Sequence, residues 1–124
     1  MYLGYKDNVI SLVANTKEEL ENTPLIKFTK IVQTFDPVEK VNGVFYVGQD
    51  NIDIAKKEIV RQYRNHLLET EIDPVVSNPL RWADMTEEEQ NDYKNYRLYL
   101  LDYTNQPSWW NQNPLTFKEW KKQQ

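Results

Sequence analysis

The sequence contains no cysteine. Disulfides, thiolate-held metals, iron–sulfur clusters and thiol catalysis are therefore excluded. Histidine occurs once, at His66, and serine only at Ser11, Ser77 and Ser108. None of these serines lies in a nucleophile-turn motif, so no hydrolytic triad can be read. Glycine is scarce as well: Gly4, Gly43 and Gly48 are scattered, whereas a phosphate-cradling loop needs them clustered. No apolar run approaches ~18 residues, so no membrane-spanning helix is expected. The first residues lack the basic and then apolar pattern of a secretory leader. Excess positive charge is also missing. Lys and Arg total 15 against 19 Asp and Glu, a formal net charge of −4. Nucleic-acid binding normally needs a net basic face, so no nucleic-acid partner is expected.

Aromatic residues are what the chain has in quantity: 4 Trp, 8 Tyr and 4 Phe among 124 residues. The mean hydropathy is only −0.79. The two facts agree if Tyr and Trp make the contacts that Leu and Val usually make. So many rings argue against a disordered acidic chain. At this length, roughly two-thirds of the unfolded surface can be buried, enough for a modest core.

Up to about residue 50 the pattern is that of short strands and turns. Met1–Tyr5 and Val9–Ala14 flank a Lys6-Asp7-Asn8 turn. Thr16 and Glu19 have capping-box spacing for one helical turn. Leu25–Phe35 is rich in β-branched residues and reads as a strand, broken at Asp36-Pro37. Asn42-Gly43 between two β-prone runs is a strong hairpin signal, because both turn residues need positive φ.

From Asp50 the period changes. Ile52, Ala55, Ile59, Tyr63 and Leu67 fall on one helical face, which predicts a helix over about 52–70. Asp50 or Asn51 would cap it, and Pro74 would end it. Residues 71–85 form a connector too apolar to be free. Thr86 and Glu89 open a second helix that reaches about Tyr103. Tyr93, Tyr96, Leu100 and Tyr103 line its stripe, widened by Leu98, Tyr99 and Leu101. Two helices joined by a packed connector predict an antiparallel hairpin. Thr116 and Glu119 repeat the capping pattern, so a short terminal helix is expected.

The fold class expected is α+β. A small N-terminal antiparallel sheet, residues 1–50, is followed by a two-helix hairpin with an aromatic C-terminal segment, residues 51–124. Chemistry has few places to reside. A lone helical His66 reads as a surface residue. Glu69, Glu71 and Asp73 lack the spacing of a calcium loop and read as a solvated helix end. Glu87, Glu88 and Glu89 complement the helix dipole. No catalytic, metal or cofactor residue is assigned, and the chain reads as a non-enzyme. The placement of the rings is more informative. All four Trp lie between Trp82 and Trp120, with Tyr93, Tyr96, Tyr99 and Tyr103 among them. Trp109-Trp110 sits in a Pro/Asn/Gln loop. One reading folds this loop back over the helices to seal the core. The other makes it a docking face for a protein partner, since Trp, Tyr and Arg dominate binding hot spots. Both hold if one ring points in and one out.

Several segments then stand in a telling order: Arg64-Asn65-His66-Leu67-Leu68-Glu69-Thr70, Met85-Thr86-Glu87-Glu88-Glu89-Gln90, Tyr96-Arg97-Leu98-Tyr99-Leu100-Leu101-Asp102, Gln106-Pro107 and Trp109-Trp110. Together they resemble the phage tail assembly chaperone family, also called tail-fibre assembly proteins. The likeness covers about residues 59–110. It implies a phage or prophage assembly chaperone with no ATP site. Such a protein binds a tail-fibre or receptor-binding subunit during folding and trimerisation, in the host bacterial cytoplasm or retained on the virion. The expected contact set is Trp82, Tyr96, Arg97, Tyr99, Trp109 and Trp110. Arg97 and Asp102 are alternatively ion-pair partners of the first helix. Two other roles stay open: a structural baseplate or fibre-attached component of the virion, and a phage-encoded inhibitor of a host protein.

Overall fold

The fold is α+β. The computed structural model describes residues 1–24 and 26–124. Leu25, the first residue of one expected strand, lies outside the described residues. The chain divides into two compact units, Met1–Ala55 and Lys56–Gln124.

In the first unit, β1 (Tyr2–Lys6) pairs antiparallel with β2 (Val9–Ala14). The two-residue turn between them is made by Asp7, at φ 56°, and Asn8. Next comes α1 (Lys17–Glu21), where the Thr16 hydroxyl accepts from the Glu19 amide at 3.3 Å. Then β3 (Lys30–Gln33) joins the other side of β1, giving the order β2-β1-β3. The expected strand over 25–35 therefore shrinks to its middle. Phe28 leaves the ladder and lies flat over Gly4, where a Cβ would come within 2.7 Å of the ring. That close approach is why a glycine sits in the middle of β1. β4 (Val38–Val41) and β5 (Val44–Val47) form a separate two-stranded sheet, so the strands make two sheets and not one. Asn42 (φ 50°) and Gly43 (φ 83°) make the turn between them. Two left-handed residues match the twist of the flanking strands.

Helix α2 runs from Gln49 to Leu67. It starts earlier than its periodicity suggests, because Gly48 at φ 91° turns the chain and its carbonyl accepts from Ile52 at 3.0 Å. Asp50 and Asn51 therefore lie inside the first turn, not at the cap. The Asn51 side chain instead donates to the Val47 carbonyl at 2.8 Å.

In the second unit α2 does not stop at Pro74. It widens into a π turn over Leu68–Ile72, with the Asp73 amide bonded five residues back to the Leu68 carbonyl. A helical turn, α3 (Asp73–Val76), follows directly, with Pro74 in its first turn. The first turn of a helical element is where proline is best tolerated. The connector also holds α4 (Pro79–Ala83), capped by the Asn78 side chain at 3.2 Å. It packs down through Ile72 and Val75, while Leu80 stays exposed.

Helix α5 (Glu87–Asp102) begins at a complete Thr86–Glu89 capping box. Two short 3₁₀ turns, Tyr103–Asn105 and Trp109–Asn111, lead to α6 (Phe117–Lys122). A second complete box, Thr116–Glu119, opens α6. Among the described residues, two buried clusters form the core of this unit. One joins Leu67, Ile72, Tyr96, Leu100 and Trp120; the other joins Val60, Tyr103 and Trp109. Advancing along α2 from Val60 to Leu67 thus means going back along α5 from Tyr103 to Tyr96, so the two helices are antiparallel. Val60 is a core residue outside the expected face. Leu98 and Leu101 do not widen the buried stripe. They point to solvent, on the side of α5 opposite Tyr96 and Leu100.

Candidate partner-binding face

Three tyrosines on α5 and the turn after it, Tyr96, Tyr99 and Tyr103, follow helical spacing and present their hydroxyls on one side. All three engage the main chain of the C-terminal segment. The Tyr103 hydroxyl donates to the Gln112 carbonyl at 2.7 Å. Tyr99 accepts from the Leu115 amide at 2.9 Å. Tyr96 lies 2.8 Å from the Leu115 carbonyl and 2.9 Å from Glu71 Oε2. Its single proton is shared between those two acceptors. The same Glu71 oxygen accepts from the Phe117 amide at 2.8 Å, at the first residue of α6. Burial, and then the hydrogen bond to Glu71, push the Tyr96 phenol well above its ordinary range. Burial raises Tyr103 too.

Around these hydroxyls the rings are stacked. Tyr93 lies parallel to Phe117 with centroids 4.4 Å apart. Tyr96 meets Phe117 edge-on at 5.3 Å and Trp120 at 5.5 Å. Such pairs add roughly 0.5–1.5 kcal/mol each beyond their area. Lys121 ties α6 to Asp92 of α5 at 3.2 Å.

The six expected contact residues therefore separate. Tyr96 is 0% exposed and belongs to the core, which corrects its assignment to the contact set. Trp109 is likewise enclosed, packed with Val60 and Tyr103 and with the Arg61 guanidinium 5.2 Å from its ring. It too leaves the set. Tyr99 is half-buried, and its hydroxyl is committed to Leu115. Trp110 is half-exposed, set perpendicular to Trp109, with Lys57 Nζ 4.5 Å from its centroid. Trp109 and Trp110 thus divide as one ring in and one out. Trp82 is half-exposed beside Lys94 Nζ at 5.9 Å, and its carbonyl accepts from the Gln90 side chain at 2.7 Å. Arg97 is exposed. Its guanidinium has no ion-pair partner among the described residues, so it does not tie the hairpin. Asp102 accepts from Asn105 at 2.7 Å, closing the end of α5. Of the six, Trp82, Arg97 and Trp110 keep exposed area, Trp82 beside Lys94 and Trp110 beside Lys57.

Glu71 is the residue that sequence reasoning misplaced. Read as part of a solvated helix end, it is a half-buried latch with two donors. A carboxylate beside Ile72 at the start of a connector rich in apolar residues was the available signal. His66 is exposed, its ring 6.5 Å from Tyr63. Among the described residues no group of three or more His, Asp and Glu is placed to hold a metal ion, and no helix is long and apolar enough to cross a membrane. In comparisons with known proteins, no family model, no curated protein and no solved structure matches the chain.

Proposed function

We propose that this protein is an assembly chaperone that binds a phage or prophage tail-fibre or receptor-binding subunit while that subunit folds and trimerises. The observation that carries the reading is the pair of half-exposed indoles, Trp82 and Trp110, each beside a lysine ammonium. An indole offers a large contact area with one polar edge, and such residues dominate protein–protein hot spots. A cation over the ring adds roughly 0.5–1 kcal/mol at an exposed site and holds it in place. The ordered motifs over residues 59–110 support the choice of partner, through their resemblance to tail-fibre assembly proteins.

The physical need is clear. Fibre subunits are long trimers, and each chain exposes unpaired strand edges until it meets its neighbours. A small protein that covers those surfaces reversibly prevents aggregation without chemical work. The experiment is co-expression with the fibre or receptor-binding subunit of the same phage or prophage. A soluble trimer should form with this protein and fail to form without it. A soluble trimer in its absence ends the reading.

A further inference from the structure

We propose that Lys57, Arg61 and Arg64 on α2, with Trp110 at their edge, form a docking stripe for an acidic, extended segment of a partner polypeptide. The proposal rests on the assembly reading above for whose segment it is, whereas the stripe itself is argued from geometry and charge.

The chain as a whole is acidic, yet from Ala55 to Leu68 it carries Lys56, Lys57, Arg61 and Arg64 against Glu58 alone. Positions 57, 61 and 64 follow the helical repeat, so three cations stand along one stripe about 10 Å long. The one acid does not neutralise them. Glu58 lies about 100° round the helix from Lys57, and its carboxylate accepts from Gln62 at 3.1 Å. Among the described residues none of the three cations has an ion-pair partner. Each is held by a neutral neighbour instead. Lys57 Nζ lies 4.5 Å from the Trp110 centroid, and the Arg61 guanidinium 5.2 Å from that of Trp109. Arg64 donates through Nε and Nη2 to the Asn65 side chain, at 3.3 and 3.1 Å. An indole face or an amide oxygen steadies a cation without cancelling its charge. The charged heads are thus placed before any anion arrives, which lowers the ordering cost of binding one.

Charge decides the occupant: it has to be anionic, and it has to be short. A polyanion such as single-stranded nucleic acid runs on past the stripe, over a protein of net charge −4. Along the chain the basic run ends in acids, Asp53 before it and Glu69 after it. Lys57 and Arg61 lie about 6 Å apart along the helix axis. Alternate side chains of an extended segment lie about 6.7 Å apart on one face. A strand with carboxylates at alternate positions therefore meets these two cations in step, and a third carboxylate comes within reach of Arg64. Half-exposed Trp110 adds apolar contact area beside them. A fibre chain that has not yet met its neighbours offers such unpaired extended segments.

The test uses the full-length chain and a fluorescein-labelled peptide with glutamate at alternate positions and threonine between, read by anisotropy. The same peptide with glutamine in place of glutamate is the neutral control. The acidic peptide should bind at least about tenfold more tightly, since hydrogen bonds between charged groups are the stronger ones. The double variant Arg61→Glu, Arg64→Glu should lower its affinity at least about tenfold. Lys118→Glu, Lys122→Glu makes the same change in net charge on α6, where both lysines are exposed. It should stay within about threefold of the unaltered chain, because solvent and salt screen charges away from the stripe. If the reversed chain lacks a native circular dichroism spectrum, Lys57→Met, Arg61→Met keeps apolar stems over the indoles, removes the charge and decides by the same criteria. Equal binding of the two peptides, binding of neither, equal loss in the stripe and α6 variants, or tighter binding of a labelled oligothymidine than of the acidic peptide overturns the proposal. Peptide binding as stated without a co-purifying fibre subunit removes the assembly reading and leaves the stripe. A fibre subunit that co-purifies undiminished with the Arg61→Glu, Arg64→Glu chain does the reverse.

Discussion

The Glu71 carboxylate holds the Tyr96 hydroxyl at 2.9 Å across 25 residues of chain, and the same oxygen caps the first amide of α6. One side chain thus ties the π turn, α5 and α6 together. Glu71→Ala leaves the Phe117 amide without its acceptor and should cost about 1–3 kcal/mol in urea unfolding. Glu71→Gln keeps an acceptor oxygen and should cost less. Equal losses for the two would mean that the negative charge, and not an acceptor oxygen as such, makes the latch.

The two adjacent tryptophans should behave differently. Trp109→Ala removes a core ring and should destabilise by about 3–5 kcal/mol. Trp110→Ala and Trp82→Ala should change stability by under about 1 kcal/mol but weaken fibre-subunit binding by about 2 kcal/mol or more if they are hot spots. Calorimetric titration with the subunit and thermal unfolding separate the effects. Unchanged affinity in both surface variants would leave the outer face without a role.

Stability should fall at both ends of the pH scale, for opposite reasons. Tyr96 and Tyr103 are harder to ionise when folded than their ordinary value of 10.0. The stability they contribute is complete below that value and is lost as pH rises above it, by about 1.4 kcal/mol per pH unit for each phenol still protonated in the fold. Tyr96→Phe should therefore give a shallower alkaline decline. At the acid end, hydrogen bonds from the Thr116 hydroxyl and amide hold Glu119 below its ordinary 4.5. Its contribution is present above 4.5 and disappears as pH drops through the lower folded value. Thr116→Ala should flatten that part of the curve and cost about 1 kcal/mol at neutral pH through the lost cap.

Gly4→Ala should destabilise by about 1–3 kcal/mol, because the new methyl overlaps the Phe28 ring and packing resists it. The double variant Gly4→Ala, Phe28→Leu should recover part of the loss in the same unfolding assay. If the single variant is neutral, Phe28 is free to move away.

Local signals were legible wherever they depend on a few neighbouring residues. The Asn42-Gly43 turn, the Thr86 and Thr116 capping boxes and the Tyr93–Tyr103 stripe all follow from short-range stereochemistry. What the sequence hid depends on residues far apart. Nothing near Phe28 says that its ring will cover Gly4, so the third strand looked longer than it is. Pro74 looked like a helix stop because a regular α turn cannot hold it, and a π turn is not visible in periodicity. Glu71 looked solvated because its donors, Tyr96 and Phe117, lie 25 and 46 residues away. The crowding of rings toward the C-terminal half was legible in composition, but their orientation was not: of Trp109 and Trp110, the one that turns inward is the one that meets Val60 and Tyr103.

The π turn over Leu68–Ile72 is, in arithmetic terms, a helix with one residue too many. The Asp73 amide reaches back five residues to Leu68 where an α-helix reaches four, so the surplus residue is absorbed within one turn and the elements on either side keep their phase. Deleting one residue there would close the turn to a regular α spiral and leave Pro74 inside it, where its ring meets the carbonyl four residues back. The surplus residue is thus what lets a proline follow the long helix in line, and a one-codon deletion should damage this protein more than most single substitutions in the same stretch.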